Sequence, residues 1–122
     1  MEKPKNILVI DDEPNVRCLF GRQLKEAGFR VFEAANGKKS FTLLETMPID
    51  LVVLDLLLPE SNGLEVYDQI RKRFPAAKII VSSIHPVEEQ AFFIADADDY
   101  YYKSESISLL LDKIIKIMGG EK

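Results

Sequence analysis

Five short apolar runs alternate with five helix-like segments along the 122 residues, and this alternation narrows the fold before any single residue is weighed. The runs are Ile7-Leu8-Val9-Ile10, Phe29 to Ala34 (with Phe29 and Val31 on one face), Leu51-Val52-Val53-Leu54, Lys78-Ile79-Ile80-Val81 and Tyr100-Tyr101-Tyr102. They are rich in β-branched and aromatic residues, which fit a pleated sheet. Between them, apolar residues recur at helical spacing. Val16, Leu19, Phe20 and Leu24 follow Pro14, with Gly28 as a stop; Phe41, Leu43 and Leu44 lie between Lys38 and Met47. Val66, Tyr67 and Ile70 lie between Leu64 and Phe74; Ala91, Ile94 and Ala95 form a weaker stripe in the segment from Pro86. The last stripe is Leu110, Leu111, Ile114, Ile115 and Met118, with Ser104 or Ser106 as its cap and Gly119-Gly120 as its end. A parallel pair of strands needs a crossover, usually a helix, and that crossover is right-handed. The expectation is an α/β, doubly wound parallel sheet with helices on both faces.

Two of these runs end in acid. Leu51 to Leu54 leads into Asp55, then Leu56-Leu57-Leu58-Pro59, and Ile7 to Ile10 leads into Asp11-Asp12-Glu13. An unpaired buried carboxylate costs several kcal/mol or stays protonated, so Asp55 belongs at a strand end where something calls for its charge. Pro59 stops the strand, and Asn62-Gly63 supplies turn chemistry before the next helix. An open parallel sheet binds its ligand beyond the carboxyl ends of the strands, where strand order reverses. For the order 2-1-3-4-5 that point lies between the first and third strands, the two that end in Asp11-Asp12 and Asp55.

Composition sets the remaining bounds. The length suits one domain over residues 1–122, and a hydrophobic content of 47% allows a packed core. A net charge of −4 argues against a nucleic-acid footprint. No apolar run reaches the length of a membrane span, and the start lacks the apolar segment of a signal peptide. The single cysteine, Cys18, permits no internal disulfide and fits a reducing, cytoplasmic setting; it reads as a packing residue in the first helix.

Asp11, Asp12, Asp55, Ser82 and Lys103 would gather at the switch point. Three crowded carboxylates raise one another's pKa, and a hard cation relieves the conflict. Oxygen-only ligands with open positions suit Mg²⁺. With Lys103 as a mobile positive charge and Ser82 as a hydroxyl, the set forms a cradle for a phosphoryl group on a carboxylate.

At this point the chain resembles the receiver domain of two-component response regulators, the family of the bacterial chemotaxis response regulator, with its flavodoxin-like fold. The matching pieces are Ile7 to Glu13, Asp55 to Pro59 with Gly63, Val81-Ser82-Ser83, and Ala97 to Lys103. The resemblance implies a phosphorelay switch. Asp55 would accept a phosphoryl group from a histidine of a sensor histidine kinase or histidine phosphotransfer protein. Asp12 would bind Mg²⁺ directly, Asp11 largely through water, and the Leu57 backbone carbonyl would complete the protein ligands. Ser82 would bond the phosphoryl oxygen and Lys103 would pair with it. Tyr100 would swing inward as Ser82 moves, altering the face of the fourth helix, fifth strand and fifth helix for a downstream effector or output domain, or for a phosphorylation-dependent dimer. Such a domain catalyses its own modification and is not a turnover enzyme.

Three features, at four positions, depart from the family pattern. Ser104 stands where proline usually follows the lysine, which bears on the placement of Lys103. Asp96 stands where glycine is common. Leu57 and Ile84 are apolar where residues governing water attack on the phosphoryl group usually lie, so slow self-dephosphorylation is expected. Two other classes stay open: a degenerate receiver serving as a phosphorylation-independent binding module, and a hydrolase with an aspartyl intermediate. His85 and the acids Asp96, Asp98 and Asp99 read as solvated loop residues, while Tyr101 and Tyr102 receive no role.

Overall fold

In the computed structural model the described residues are 3–57 and 62–119. The elements alternate strictly: β1 (Asn6–Ile10), α1 (Pro14–Glu26), β2 (Arg30–Ala34), α2 (Gly37–Thr46), β3 (Leu51–Asp55), α3 (Gly63–Arg73), β4 (Lys78–Ser83), α4 (Val87–Phe93), β5 (Asp99–Tyr102) and α5 (Ile107–Ile117). All strand pairs are parallel, in the order β2-β1-β3-β4-β5. The three central strands are apolar on both faces because both faces are covered.

Alternation along the strands sorts the core into two halves. Leu8, Ile10, Val52, Leu54, Ile79 and Val81 pack with Leu44 of α2, Val66, Tyr67 and Ile70 of α3, and Ile94 after α4. Ile7, Val9, Leu51, Val53, Ile80 and Tyr101 pack with Phe20 and Leu24 of α1 and Leu110 and Ile114 of α5. So α1 and α5 cover one face and α2, α3 and α4 the other. Tyr101, which has no role in the sequence reading, is a core residue: its ring meets Phe20 edge to face at 6.0 Å, and its hydroxyl donates to the Glu105 carbonyl at 2.6 Å.

The helix boundaries follow local chemistry. Asn36 and Asn62 cap α2 and α3 through their side-chain oxygens, and Ser106 caps α5. Gly28 takes a left-handed φ of 102° beyond α1, a conformation open to glycine at little steric cost. Gly63 is required for another reason: a Cβ there would collide with the Leu56 backbone carbonyl, so α3 begins in direct contact with the chain leaving β3. The turn expected at Pro59 lies outside the described residues.

Four expectations need correction. Cys18 is exposed, not packed. Leu19 is also exposed, because the buried stripe of α1 runs through Phe20 and Leu24. In α4 the buried helical residue is Gln90, while Ala95 is exposed. The acids Asp96, Asp98 and Asp99 around the start of β5 are not merely solvated. Asp98 accepts the Ile79 amide at 2.8 Å and pairs with Arg71 at 2.9 Å. The Tyr67 hydroxyl donates to Asp96 at 2.7 Å and accepts from Arg71 at 2.9 Å, and Asp99 pairs with Lys113 at 3.2 Å. The contacts of Asp96 and Asp98 fasten the turn between α4 and β5 to α3 and β4, and the Asp99–Lys113 pair ties β5 to α5.

Candidate functional site

The carboxyl ends of β1, β3, β4 and β5 meet at one rim of the sheet, held there by bonds that continue the ladder. The Leu56 amide donates to the Ser82 carbonyl at 3.0 Å, the Lys103 amide to the Ser83 carbonyl at 2.8 Å, and the Asp11 amide to the Ala34 carbonyl at 3.1 Å. In register, Asp55 stands beside Ser82.

Asp11 and Asp55 are both buried and Asp12 is half-buried. One carboxylate oxygen from each of the three lies within 4.8 Å of the others. Asp11 Oδ1 accepts the Glu13 amide at 3.0 Å, and the Arg17 guanidinium donates to the Asp11 carbonyl at 2.7 Å. These bonds fix the turn into α1, whose N-cap position falls on Glu13 with no side-chain cap bond. Asp55 Oδ1 accepts the Leu57 amide at 3.0 Å.

Lys103 Nζ lies 2.7 Å from Asp11 Oδ2 and 3.5 Å from Asp55 Oδ2. No peptide bond is cis among the described residues, so Ser104 follows Lys103 through a trans bond and the ammonium still reaches both acids. Burial pushes the Asp55 carboxyl up to about 6, with Asp11 and Asp12 adding to the rise and Lys103 and the Leu57 amide working against it. Burial opposes the charge on Lys103, yet its hydrogen bond to Asp11 and the nearby charges of Asp55, Asp11 and Glu13 leave its pKa raised.

The donor set fits a hard divalent cation. It consists of oxygen atoms, it carries more negative charge than one ammonium cancels, and burial makes the Asp55 charge costly, a cost that a bound cation would offset. His85 sits to one side, 3.3 Å from Glu89. Leu57 and Ile84 line the rim as exposed apolar side chains, at 49% and 63% exposure.

The sequence reading gave one serine two jobs, bonding the phosphoryl group and coupling to Tyr100. Alternation sets Ser82 and its neighbour Ser83 on opposite faces of β4. Ser82 follows Ile80 onto the α1/α5 face, the face of Asp55, and its buried hydroxyl has no hydrogen-bond partner among the described residues. Ser83 follows Val81 onto the face where Tyr100 packs, and its hydroxyl accepts the His85 amide at 3.1 Å. Tyr100 lies partly buried with its hydroxyl donating to the Ile94 carbonyl at 2.6 Å. Ser83 is thus a candidate that the sequence reading missed; the doublet Ser82-Ser83 and the period of the strand were the available signal.

Comparison with known proteins agrees with this geometry. The model of the response regulator receiver domain matches residues 7–115. Response regulator RR06 of Streptococcus pneumoniae is 34% identical over 110 residues, covering 89% of this chain and 51% of that protein. The nitrate/nitrite response regulator NarL of Escherichia coli is 33% identical over 124 residues, covering 98% of this chain and 57% of that protein. The chain therefore spans about half the length of these two relatives. Among solved structures, response regulator TrrA of Thermotoga maritima, in complex with Mg²⁺ and beryllium fluoride, is 38% identical with a TM-score of 0.83, covering 92% of this chain and 97% of that one. TrrA has also been solved in complex with the histidine kinase ThkA. With the sheet order, the clustered acids and the bridging lysine in place, the chain belongs to the response regulator receiver domain family.

Proposed function

We propose that residues 1–122 act as one receiver domain, a cytoplasmic phosphorelay switch that takes a phosphoryl group onto Asp55 from a histidine of a partner kinase or phosphotransfer protein. The observation that carries this reading is the meeting of Asp11, Asp12 and Asp55 within 4.8 Å with Lys103 bridging two of them. In the transfer, an Asp55 carboxylate oxygen forms the new P–O bond. The donor's P–N bond breaks, and its electron pair stays on the imidazole nitrogen. The Leu57 amide orients the Asp55 carboxylate, and Lys103 balances charge on the phosphoryl oxygens. Asp11, Asp12, Asp55 and the Leu57 carbonyl would hold Mg²⁺, which supplies charge neutralisation. The complexes of TrrA with Mg²⁺ and beryllium fluoride and with ThkA support both the metal and the partner. Downstream, the face of α4, β5 and α5 would engage an effector or output domain, or a second copy once phosphorylated.

Ser82 is the first choice for the phosphoryl contact, because it neighbours Asp55 in register and carries a buried, unpartnered hydroxyl. A second reading assigns that contact to Ser83, which alone of the two shares a face with Tyr100. Ser82→Ala and Ser83→Ala decide between them: the variant that slows phosphorylation and uncouples Tyr100 identifies the hydroxyl.

Incubation with Mg²⁺ and a small-molecule phosphodonor, followed by mass spectrometry, tests the whole reading. An acid-labile phosphoryl group should appear on Asp55 and be absent from Asp55→Asn. A chain that gains no such group would be a phosphorylation-independent binding module, and steady release of phosphate from a small ester would indicate a hydrolase.

A further inference from the structure

α4 is poorly furnished with apolar anchors. It has seven residues, no side-chain cap bond at Pro86, and Gln90 as its buried helical residue. Val87, Phe92 and Phe93 are all exposed. A helix this short with so little apolar burial gains little from its own propensity, so its seat on the sheet depends on polar bonds.

Gln90 supplies them. Its side chain is 0% exposed, and its amide nitrogen donates to the His85 carbonyl at 2.7 Å and to the Tyr101 carbonyl at 2.9 Å. Both partners are carbonyls, so the amide can face them only with its NH₂ group. The Tyr101 carbonyl belongs to β5, the last strand of the sheet, so this bond ties α4 directly to that strand. The His85 carbonyl belongs to the loop whose amide is held by Ser83. A continuous path therefore runs from the Ser83 hydroxyl at the rim, through His85, to α4 and β5. The remaining Gln90 oxygen is buried and has no hydrogen-bond partner among the described residues, so the amide is only half satisfied in this arrangement. A shift of the loop that offers that oxygen a donor would compete with the present seat.

We propose that Gln90 is a positioning residue, a latch whose two bonds to the His85 and Tyr101 carbonyls hold the β4–α4 loop and α4 in the unphosphorylated arrangement. This rests on the reading of Asp55 as phosphoacceptor. Gln90 touches no reacting atom; it acts by setting how much the loop must give up when the rim is occupied. By linkage, weakening the latch must tighten binding at the rim by the same factor that it releases α4.

The test uses the full chain with Mg²⁺ and beryllofluoride as the probe of the phosphorylated arrangement. Gln90→Leu and Gln90→Met keep the volume and remove the donor; the second serves if the first does not fold. In either variant, amide exchange over residues 87–93 without beryllofluoride should speed up toward the rate seen with it in the wild-type chain. Beryllofluoride should bind about tenfold more tightly, within the usual range of coupling between sites. A merely structural role would loosen the helix and leave the affinity unchanged or weaker, and either result overturns the latch. If the wild-type chain takes up no beryllofluoride, the Asp55 reading fails first and the coupling with it. Wild-type binding with unchanged variant affinity overturns the latch alone.

Discussion

Asp55→Asn offers a measurement of what the site costs the fold. The folded Asp55 carboxyl titrates at about 6, against 3.8 for an unperturbed one. The folded chain therefore holds this proton more tightly than the unfolded chain, and stability falls as pH rises between those two values. The Asp55 contribution is intact below about pH 4 and lost as the pH climbs through 6. A shift of roughly two units corresponds to about 3 kcal/mol, at about 1.36 kcal/mol per unit; this is already net of the attraction to Lys103. Asparagine keeps an acceptor for the Leu57 amide and has no charge to desolvate. In Mg²⁺-free buffer with chelator, urea unfolding should therefore show Asp55→Asn stabilised relative to the parent by up to about 3 kcal/mol at pH 8. The difference should shrink steadily from about pH 6 to about pH 4, and added Mg²⁺ should narrow it by stabilising the parent. A difference that does not vary with pH, or a variant less stable than the parent at pH 8, would show that burial of the Asp55 charge is not the dominant cost.

Other perturbations test separate parts of the structure. Leu57→Asn places an amide that can orient water at the exposed rim, so the phosphoryl group on Asp55 should be lost faster when its decay is followed by mass spectrometry; an unchanged lifetime counts against the role given to the apolar rim. Gly63→Ala forces a Cβ into the Leu56 carbonyl and should destabilise the fold by several kcal/mol in urea unfolding. Full stability in that variant would mean that α3 can shift away from β3 without penalty. Tyr67→Phe removes a buried hydroxyl that both donates to Asp96 and accepts from Arg71, and a loss of about 1–3 kcal/mol is expected; wild-type stability would reduce the brace between α3 and the turn before β5 to a surface contact.

Much of this architecture was legible because strand ends carry their own signal. Apolar runs followed at once by Asp11-Asp12 and by Asp55 located the rim, and strand–helix alternation fixed which ends share it. Lys103 was placed despite Ser104, because the β5 register, not the residue after it, sets where the ammonium reaches. What escaped reading was polar and non-local. Nothing around Gln90 marks it as buried; its partners are backbone carbonyls of a preceding loop and of an edge strand. The Tyr67–Arg71–Asp96–Asp98 brace joins residues from elements far apart in the chain, and a run of acids before β5 looks the same on paper whether solvated or paired. Ser82 and Ser83 could be separated only by counting the strand period to its last residue, where sequence boundaries are least certain.

The two ends of α4 are fastened unequally, and this limits how the helix can move. Its C-terminal side is tied by the Tyr100 hydroxyl to the Ile94 carbonyl and, through the next turn, by Asp96 and Asp98 to α3. Ahead of that end, the helix is held among the described residues by the Gln90 bonds to the His85 and Tyr101 carbonyls and by the loop that Ser83 grips. Once the Gln90 bonds let go, a rod pinned at one end swings; it does not slide. Motion begun at the rim would sweep Val87 through a wide arc while Ile94 stays near its seat, so a partner that senses this domain should read the first turn of the helix more sharply than the last.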